Sequence, residues 1–185
     1  METSELQAIQ ECQQGKLDSF GALYDLYIKK IYNFIYYKTL HKETAEDLTS
    51  KTFIKALDKI GTFKIDQGTF SAWIYQIARN NVIDYYRSQK QEIDIEDVWD
   101  LSAKPFKAEV EAKMELEKVQ KYIQGIPSEQ REIIILRVWE GLSYKEIADI
   151  VGKNENNCKV IYSRAMSKLR QQMPLSLLLI FLLNV

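Results

Sequence analysis

Residues 128–169 read SEQREIIILRVWEGLSYKEIADIVGKNENNCKVIYSRAMSKL, and the order of features in that stretch decides the fold class. A short apolar helix is predicted first, with Ile133, Leu136, Val138 and Trp139 supplying core. Ser128, preceded by Pro127, is its expected cap, and Glu129 and Glu132 suit the positive end of the helix. Gly141 can take the left-handed backbone that ends a helix. Ser143 and Glu146 stand three apart, the spacing of a capping box, in which each side chain bonds the other residue's amide. Ala148 is small where two helices must approach closely, and Gly152 makes a second turn. The last helix is predicted to bury Cys158, Ile161 or Tyr162, Ala165 and Leu169. This is the plan of a helix-turn-helix, which places one helix in the major groove of duplex DNA.

That last helix also changes electrical character. Between residues 153 and 170 stand Lys153, Lys159, Arg164, Lys168 and Arg170 against Glu155 alone, while the whole chain carries a formal charge of -1. A near-neutral total excludes a protein that coats DNA by net charge, so binding must come from local patches. Asn156, Asn157, Lys159, Val160, Ser163, Arg164 and Lys168 are expected to face outward. Asn can read adenine, and Lys and Arg can reach guanine or phosphate.

A chain of 185 residues allows one domain or two small ones, and a content of 46% hydrophobic and 28% charged residues is that of a globular protein. Seven Gly and three Pro leave long uninterrupted stretches that favour helices, and no strand pattern or internal repeat is present. The fold class expected is therefore all-α: two small helical domains joined by a flexible acidic linker. Cys12 and Cys158 lie far apart, and His41 is the only histidine. No metal site is expected, since tetrahedral zinc wants four N or S ligands. Two separate cysteines fit a reducing cytoplasm, and the polar start METSELQAIQE is no secretory signal. No GxxxxGK[ST] loop and no nucleophile–base pair can be found, so no enzyme, cofactor or small-molecule substrate is expected.

Apolar periodicity places a short helix over residues 5–14, with Leu6 and Ile9 inward and a break at Gly15. Ser19 is the expected cap of a long helix carrying Phe20, Leu23, Tyr24, Tyr27, Ile28, Ile31 and Ile35 at steps of three and four. Thr44 is the expected cap of the next, over 45–60, with Leu48, Phe53, Ile54, Leu57 and Ile60 inward. Residues 61–68 form a loop. Thr69 can cap a helix from 70 to about 89, with Trp73, Ile74, Ile77, Ala78, Ile83 and Tyr86 on its apolar side. Residues 92–100, EIDIEDVWD, hold five acids and no base, and Pro105 follows. They read either as a solvated tether or as a DNA-mimicking strand for a partner's basic channel. Helix resumes over 107–124. The predicted domains are 1–91, 113–173, a linker 92–112 between them, and an apolar tail 174–185. The tail is about half of the ~20 residues that span a bilayer. It reads either as a terminal helix packed on the domain, as a segment that needs a partner, or as one that dips into a membrane.

Residues 62–89 interleave aromatics and cations. Phe63, Phe70, Trp73, Tyr75, Tyr85 and Tyr86 accompany Lys64, Arg79 and Arg87, with Lys90 just beyond. A stacking surface beside phosphate-binding groups is what unpaired or flipped bases require. The competing reading assigns several of these rings to the core.

Residues 45–57, AEDLTSKTFIKAL, and 70–81, FSAWIYQIARNN, resemble the two signature stretches of region two of bacterial sigma factors. Residues 126–152 resemble region four. Their order and spacing, and the lack of further domains, are similar to the extracytoplasmic function group, over about residues 18–172. The resemblance implies binding to core RNA polymerase, recognition of two promoter elements, and help in opening the duplex. It implies polymerase docking by Asp47, Leu48, Phe53 and Lys55. It implies capture of flipped non-template −10 bases by Lys64, Trp73, Gln76, Arg79, Asn80, Asp84 and Arg87. It implies −35 reading by the basic helix, with Ser143, Tyr144 and Lys145 on phosphates. The implied partners are core RNA polymerase, promoter DNA and an anti-sigma factor, often membrane-bound, with the protein itself in the cytoplasm. Thr49, Ser50, Lys51, Lys153 and Ile161 depart from the common pattern. The alternative is a helix-turn-helix regulator acting on duplex DNA without polymerase, which leaves residues 45–57 and the aromatic helix without a role.

Overall fold

A computed structural model describes residues 3–90, 119, 121–123 and 125–183. All regular structure among the described residues is helical. The chain divides into two compact units, Met1–Ala103 and Lys104–Val185. The expected linker 92–112 lies outside the described residues. Of the helix expected over 107–124, residues 119 and 121–123 are described, and they are helical.

The first unit contains α1 (Thr3–Gln13), α2 (Phe20–Thr39), α3 (Lys42–Lys59) and α4 (Phe70–Lys90). Helix α2 buries Phe20, Leu23, Tyr27, Ile31, Phe34 and Ile35, one stripe at steps of three and four. Against it pack Ala45, Leu48, Phe53 and Ala56 of α3 and Phe70, Ile74, Tyr75 and Val82 of α4. Rings lock the helices together edge to face, Phe34 on Tyr75 at 5.2 Å, and in a tilted pair, Tyr27 on Phe70 at 5.4 Å. Helix α1 joins through Ala8, Ile9 and Cys12, and through buried Glu5, which accepts the Tyr27 hydroxyl at 2.6 Å.

Several helix ends differ from the sequence expectation. Ser19 makes no cap bond. It closes a 3-10 turn, Leu17–Ser19, and its hydroxyl donates to Glu11 Oε2 at 2.6 Å. Helix α3 starts ahead of Thr44, because His41 Nδ1 accepts the Thr44 amide at 3.3 Å and serves as the cap. Thr69 caps α4 as expected, accepting the Ala72 amide at 3.2 Å. Tyr24 and Ile54, expected inward, are 42% and 60% exposed. The loop between α3 and α4 holds two 3-10 turns, Ile60–Thr62 and Ile65–Gln67.

The second unit contains α5 (Ser128–Ile134), extended by a π-helical turn over Ile135–Trp139, then α6 (Tyr144–Val151), α7 (Glu155–Gln172) and α8 (Leu175–Leu183). Pro127, not Ser128, stands at the start of α5, without a side-chain bond. The widened turn is closed by the Glu140 amide on the Ile135 carbonyl at 3.2 Å. Gly141 and Gly152 take φ of 66° and 70°, the left-handed values the turns require. The capping box is formed: Ser143 Oγ accepts the Glu146 amide at 3.2 Å, and Glu146 Oε2 accepts the Ser143 amide at 2.9 Å. Asn154 caps α7 by accepting the Asn157 amide at 2.8 Å.

The apolar tail is a wall of this second core. Leu177, Leu178 and Phe181 of α8 join Ile134, Val138, Met166 and Leu169 in one buried cluster. Phe181 is fully buried, its ring edge-to-face with Trp139 at 5.6 Å. Leu175, Leu179 and Leu182 are exposed. Among the described residues no helix is long and apolar enough to cross a membrane. Phe181→Ala should destabilise the second unit by about 3–5 kcal/mol, the cost of emptying a buried aromatic site. Urea unfolding followed by circular dichroism checks this, and an unchanged midpoint contradicts the packing role of α8.

Candidate nucleic-acid interface

Helix α7 divides cleanly into two faces. Cys158, Ala165, Met166 and Leu169 are buried, while Ile161 and Tyr162 are both half-buried. Asn156, Asn157, Lys159, Val160, Ser163, Arg164 and Lys168 are all exposed. The outward face offers amides, a hydroxyl and cations in the spacing a groove-reading helix needs.

The start of α6 adjoins that face. The Tyr144 ring lies under the Arg137 guanidinium at 4.9 Å and the Lys159 ammonium at 5.8 Å, with the Tyr162 ring edge-on at 5.8 Å. Arg137 Nη1 also donates to the Leu142 carbonyl at 2.7 Å, so its guanidinium is held from two sides. Sequence reading missed Arg137, because its place beside Tyr144 depends on the π-helical turn that carries it. Lys159 pairs with Glu155 at 2.7 Å, a half-exposed link that a phosphate can replace at little cost. Lys145 is exposed. Ser143, expected on phosphate, has its hydroxyl donating to Glu146 Oε2 at 2.7 Å within the capping box. Its first task is therefore to start the helix. Lys153 pairs with Glu129 at 2.6 Å, which ties the turn before α7 to α5.

In the first unit, Trp73, Gln76, Asn80, Asp84 and Arg87 follow one face of α4 at steps of three and four. Gln76, Asn80, Asp84, Arg87 and the loop residue Lys64 are exposed, and Trp73 and Arg79 are half-buried. The aromatic set is smaller than its sequence suggests, because Phe63, Phe70 and Tyr75 are core. Phe63 and Phe70 still matter here: their rings back Trp73 at 5.4 and 5.3 Å and fix its orientation. Tyr85 and Tyr86 are half-buried, and the Tyr86 hydroxyl donates to the Lys38 carbonyl at 3.0 Å.

The residues expected to dock on polymerase split in two. Asp47 and Lys55 are exposed, whereas Leu48 and Phe53 are only 3% and 5% exposed. These two hold α3 in place and present no surface to a partner. The outward face of α3 is instead Asp47, Lys51, Ile54 and Asp58, spaced i, i+4, i+7 and i+11. Lys55 Nζ donates to Oδ1 of buried Asn81, whose amide donates to Thr52 Oγ1 at 2.9 Å. Asn81 thus stitches α4 to α3, a role hidden from sequence by its outward neighbour Asn80.

Neither cysteine takes part. Burial raises the thiol pKa of both Cys12 and Cys158 above its ordinary value, so each is a small apolar core residue at neutral pH. Among the described residues no group of three or more His, Cys, Asp or Glu could hold a metal ion.

Fold and surface define a two-unit helical protein with a helix-turn-helix in one unit, its last helix exposing amides and cations, and an aromatic–cationic face in the other. Residues 23–92 match the family Sigma-70 region 2, and residues 116–169 match Sigma-70, region 4. The chain is 36% identical over 174 residues to the ECF RNA polymerase sigma factor BldN of Streptomyces coelicolor, covering 91% of this chain and spanning 66% of that protein's length. It is 33% identical over 152 residues to the ECF RNA polymerase sigma factor SigM of Bacillus subtilis, covering 80% of this chain and 91% of SigM. The sigma factor RpoE of Bartonella quintana, solved with the anti-sigma factor NepR, superposes with a TM-score of 0.71 at 26% identity, covering 82% of this chain and 94% of that one. The chain belongs to the extracytoplasmic function sigma factors of bacterial RNA polymerase. It binds core polymerase, directs it to promoters and promotes strand opening; it is not an enzyme, and regulation of duplex DNA without polymerase is not favoured.

Proposed function

We propose a residue-level division of this work between the two units, carried by the two outward faces of α4 and α7. Helix α7 lies in the major groove of the −35 element. Asn156, Asn157, Val160, Ser163 and Arg164 face base edges, while Lys159 and Lys168 reach phosphates. Arg137, Tyr144 and Lys145 hold the flanking backbone, and Ser143 supports them by capping α6. Lys64, Trp73, Gln76, Arg79, Asn80, Asp84 and Arg87 receive unpaired non-template bases of the −10 element. A base stacking on Trp73 meets a ring already oriented by Phe63 and Phe70, so little freedom is lost on binding. The face of α3 built from Asp47, Lys51 and Ile54 docks on polymerase, with Lys55 at its edge and Leu48 and Phe53 supporting it from beneath. An exposed Ile54 among charges is the kind of apolar centre that a partner covers.

The acidic segment 92–112 serves as the tether between the units. The relative RpoE was solved with an anti-sigma factor. On that likeness an anti-sigma factor restrains this chain too, either free in the cytoplasm, where the polymerase is, or anchored at the membrane.

Trp73→Ala should leave polymerase binding unchanged and lower strand opening about ten- to hundredfold, since a stacked base is worth roughly 1–3 kcal/mol. Permanganate reactivity of thymines in the bubble reads this directly, and undiminished reactivity contradicts the role of Trp73. Lys159→Ala should weaken promoter binding and reduce the slope of log affinity against log salt by roughly one. Filter binding across a salt series measures it; a slope equal to that of the unaltered protein removes Lys159 from the phosphate contacts.

A further inference from the structure

The side chain of Gln13, at the end of α1, reaches across to the loop between α3 and α4. Its Nε2 donates to the Phe63 carbonyl at 2.7 Å and to the Ile60 carbonyl at 3.1 Å. A primary amide has two N–H donors on one nitrogen, so a single group satisfies both oxygens. Ile60 and Phe63 bracket the first 3-10 turn of the loop, which the Phe63 amide closes on the Ile60 carbonyl at 3.1 Å. The next residue is Lys64, exposed and in extended backbone. The buried Phe63 ring lies 5.4 Å from Trp73. Gln13 therefore grips the backbone at Phe63, which precedes Lys64 and packs on Trp73.

Gln13 is itself well anchored. Helix α1 is fixed by Ile9, Cys12 and the Glu5–Tyr27 bond. Just beyond Gln13 the chain turns at Gly15, with φ of 92°, and the Lys16 amide returns to the Glu11 carbonyl at 3.0 Å. A rigid base and a two-pronged donor make a clamp, and its two contacts span 47 and 50 residues of the chain.

We propose that Gln13 is a positioning residue for promoter opening: it holds the 60–63 turn so that Lys64 and Trp73 are set before the strand arrives. The inference rests on the reading of that loop as the −10 surface. Without the clamp the turn samples other conformations, and each must be frozen out when bases bind, which lowers affinity without removing any DNA contact. Nothing in the sequence between residues 1 and 19 points to the −10 element, so this extends its determinants into α1.

Gln13→Met keeps the length of the side chain and removes both donors. The test compares holoenzymes of core polymerase with the full chain, on a promoter fragment selected from randomised DNA by the unaltered holoenzyme. Gln13→Met, Lys64→Ala and the double variant are each read by thymine permanganate reactivity and by a salt series. Gln13→Met should lower opening about tenfold, the effect of one to two net hydrogen bonds, and lower the melting temperature slightly, with polymerase affinity and salt slope unchanged. Lys64→Ala should impair opening by itself and cause a smaller further loss in the Gln13→Met background, because the two act on one structure. Undiminished opening by Gln13→Met, strictly additive losses, or a reduced salt slope overturns the clamp; the last would mean that a cation–phosphate contact has been lost and not only its pre-organisation. If Lys64→Ala alone is harmless, the reading of the loop fails, and the clamp has nothing to position.

Discussion

A helix can offer one face to nucleic acid only while its opposite face is held, and in this protein that holding is done by two narrow buried stripes. On α4 the stripe is Phe70, Ile74, Ala78 and Val82; on α7 it is Cys158, Ala165 and Leu169. Each stripe fixes the rotation of its helix about its own axis. Rotation in turn decides which residues face out, and a turn of one residue, about 100°, would bring a different set to the surface. The aromatic wedge of Phe63, Phe70 and Trp73 carries the same constraint beyond the helix into the loop that precedes it. Which residues each helix turns outward thus follows from core packing, and polar residues such as Gln13 and Asn81 pin the points that apolar packing leaves loose.

The parts of this design that were legible in the sequence are those set by neighbours three or four residues apart. The Ser143–Glu146 box, the Thr69 cap, the turns at Gly141 and Gly152 and the outward face of α7 all depend on such short spacings. Other features escaped because they depend on distant partners. Gln13 finds its carbonyls across the fold, and Asn81 finds Thr52 and Lys55 on another helix. His41 was overlooked as a cap since a ring nitrogen rarely takes that place, whereas Asn154 carried an ordinary cap signature that could have been found. Ser19 and Ser128 have the right chemistry in the wrong backbone: neither side chain bonds the helix that follows it. Ile54 fits a helical apolar pattern yet points outward, because periodicity counts apolar residues and does not say which of two adjacent stripes the core selects.

The tail illustrates the same limit in the other direction. As a sequence, LSLLLIFLL suggests a membrane as readily as a core, since it has no polar face to orient it. In the fold it acquires one: Leu177, Leu178 and Phe181 are covered by the helix-turn-helix unit, and Leu175, Leu179 and Leu182 are not. An apolar helix without internal polarity takes its orientation entirely from the surface it meets. The helix-turn-helix unit here is therefore larger than the stretch that defines its DNA-reading motif.

The most direct measurement is reconstitution. The purified chain, mixed with core RNA polymerase freed of other sigma factors, should form a one-to-one complex and start RNA synthesis at discrete sites on duplex DNA, with the DNA upstream of its own gene as the first template. Run-off transcripts that need both the chain and the polymerase are the expected result. A chain that binds duplex DNA yet neither joins the polymerase nor supports initiation on any template would contradict the division of labour drawn from its two faces.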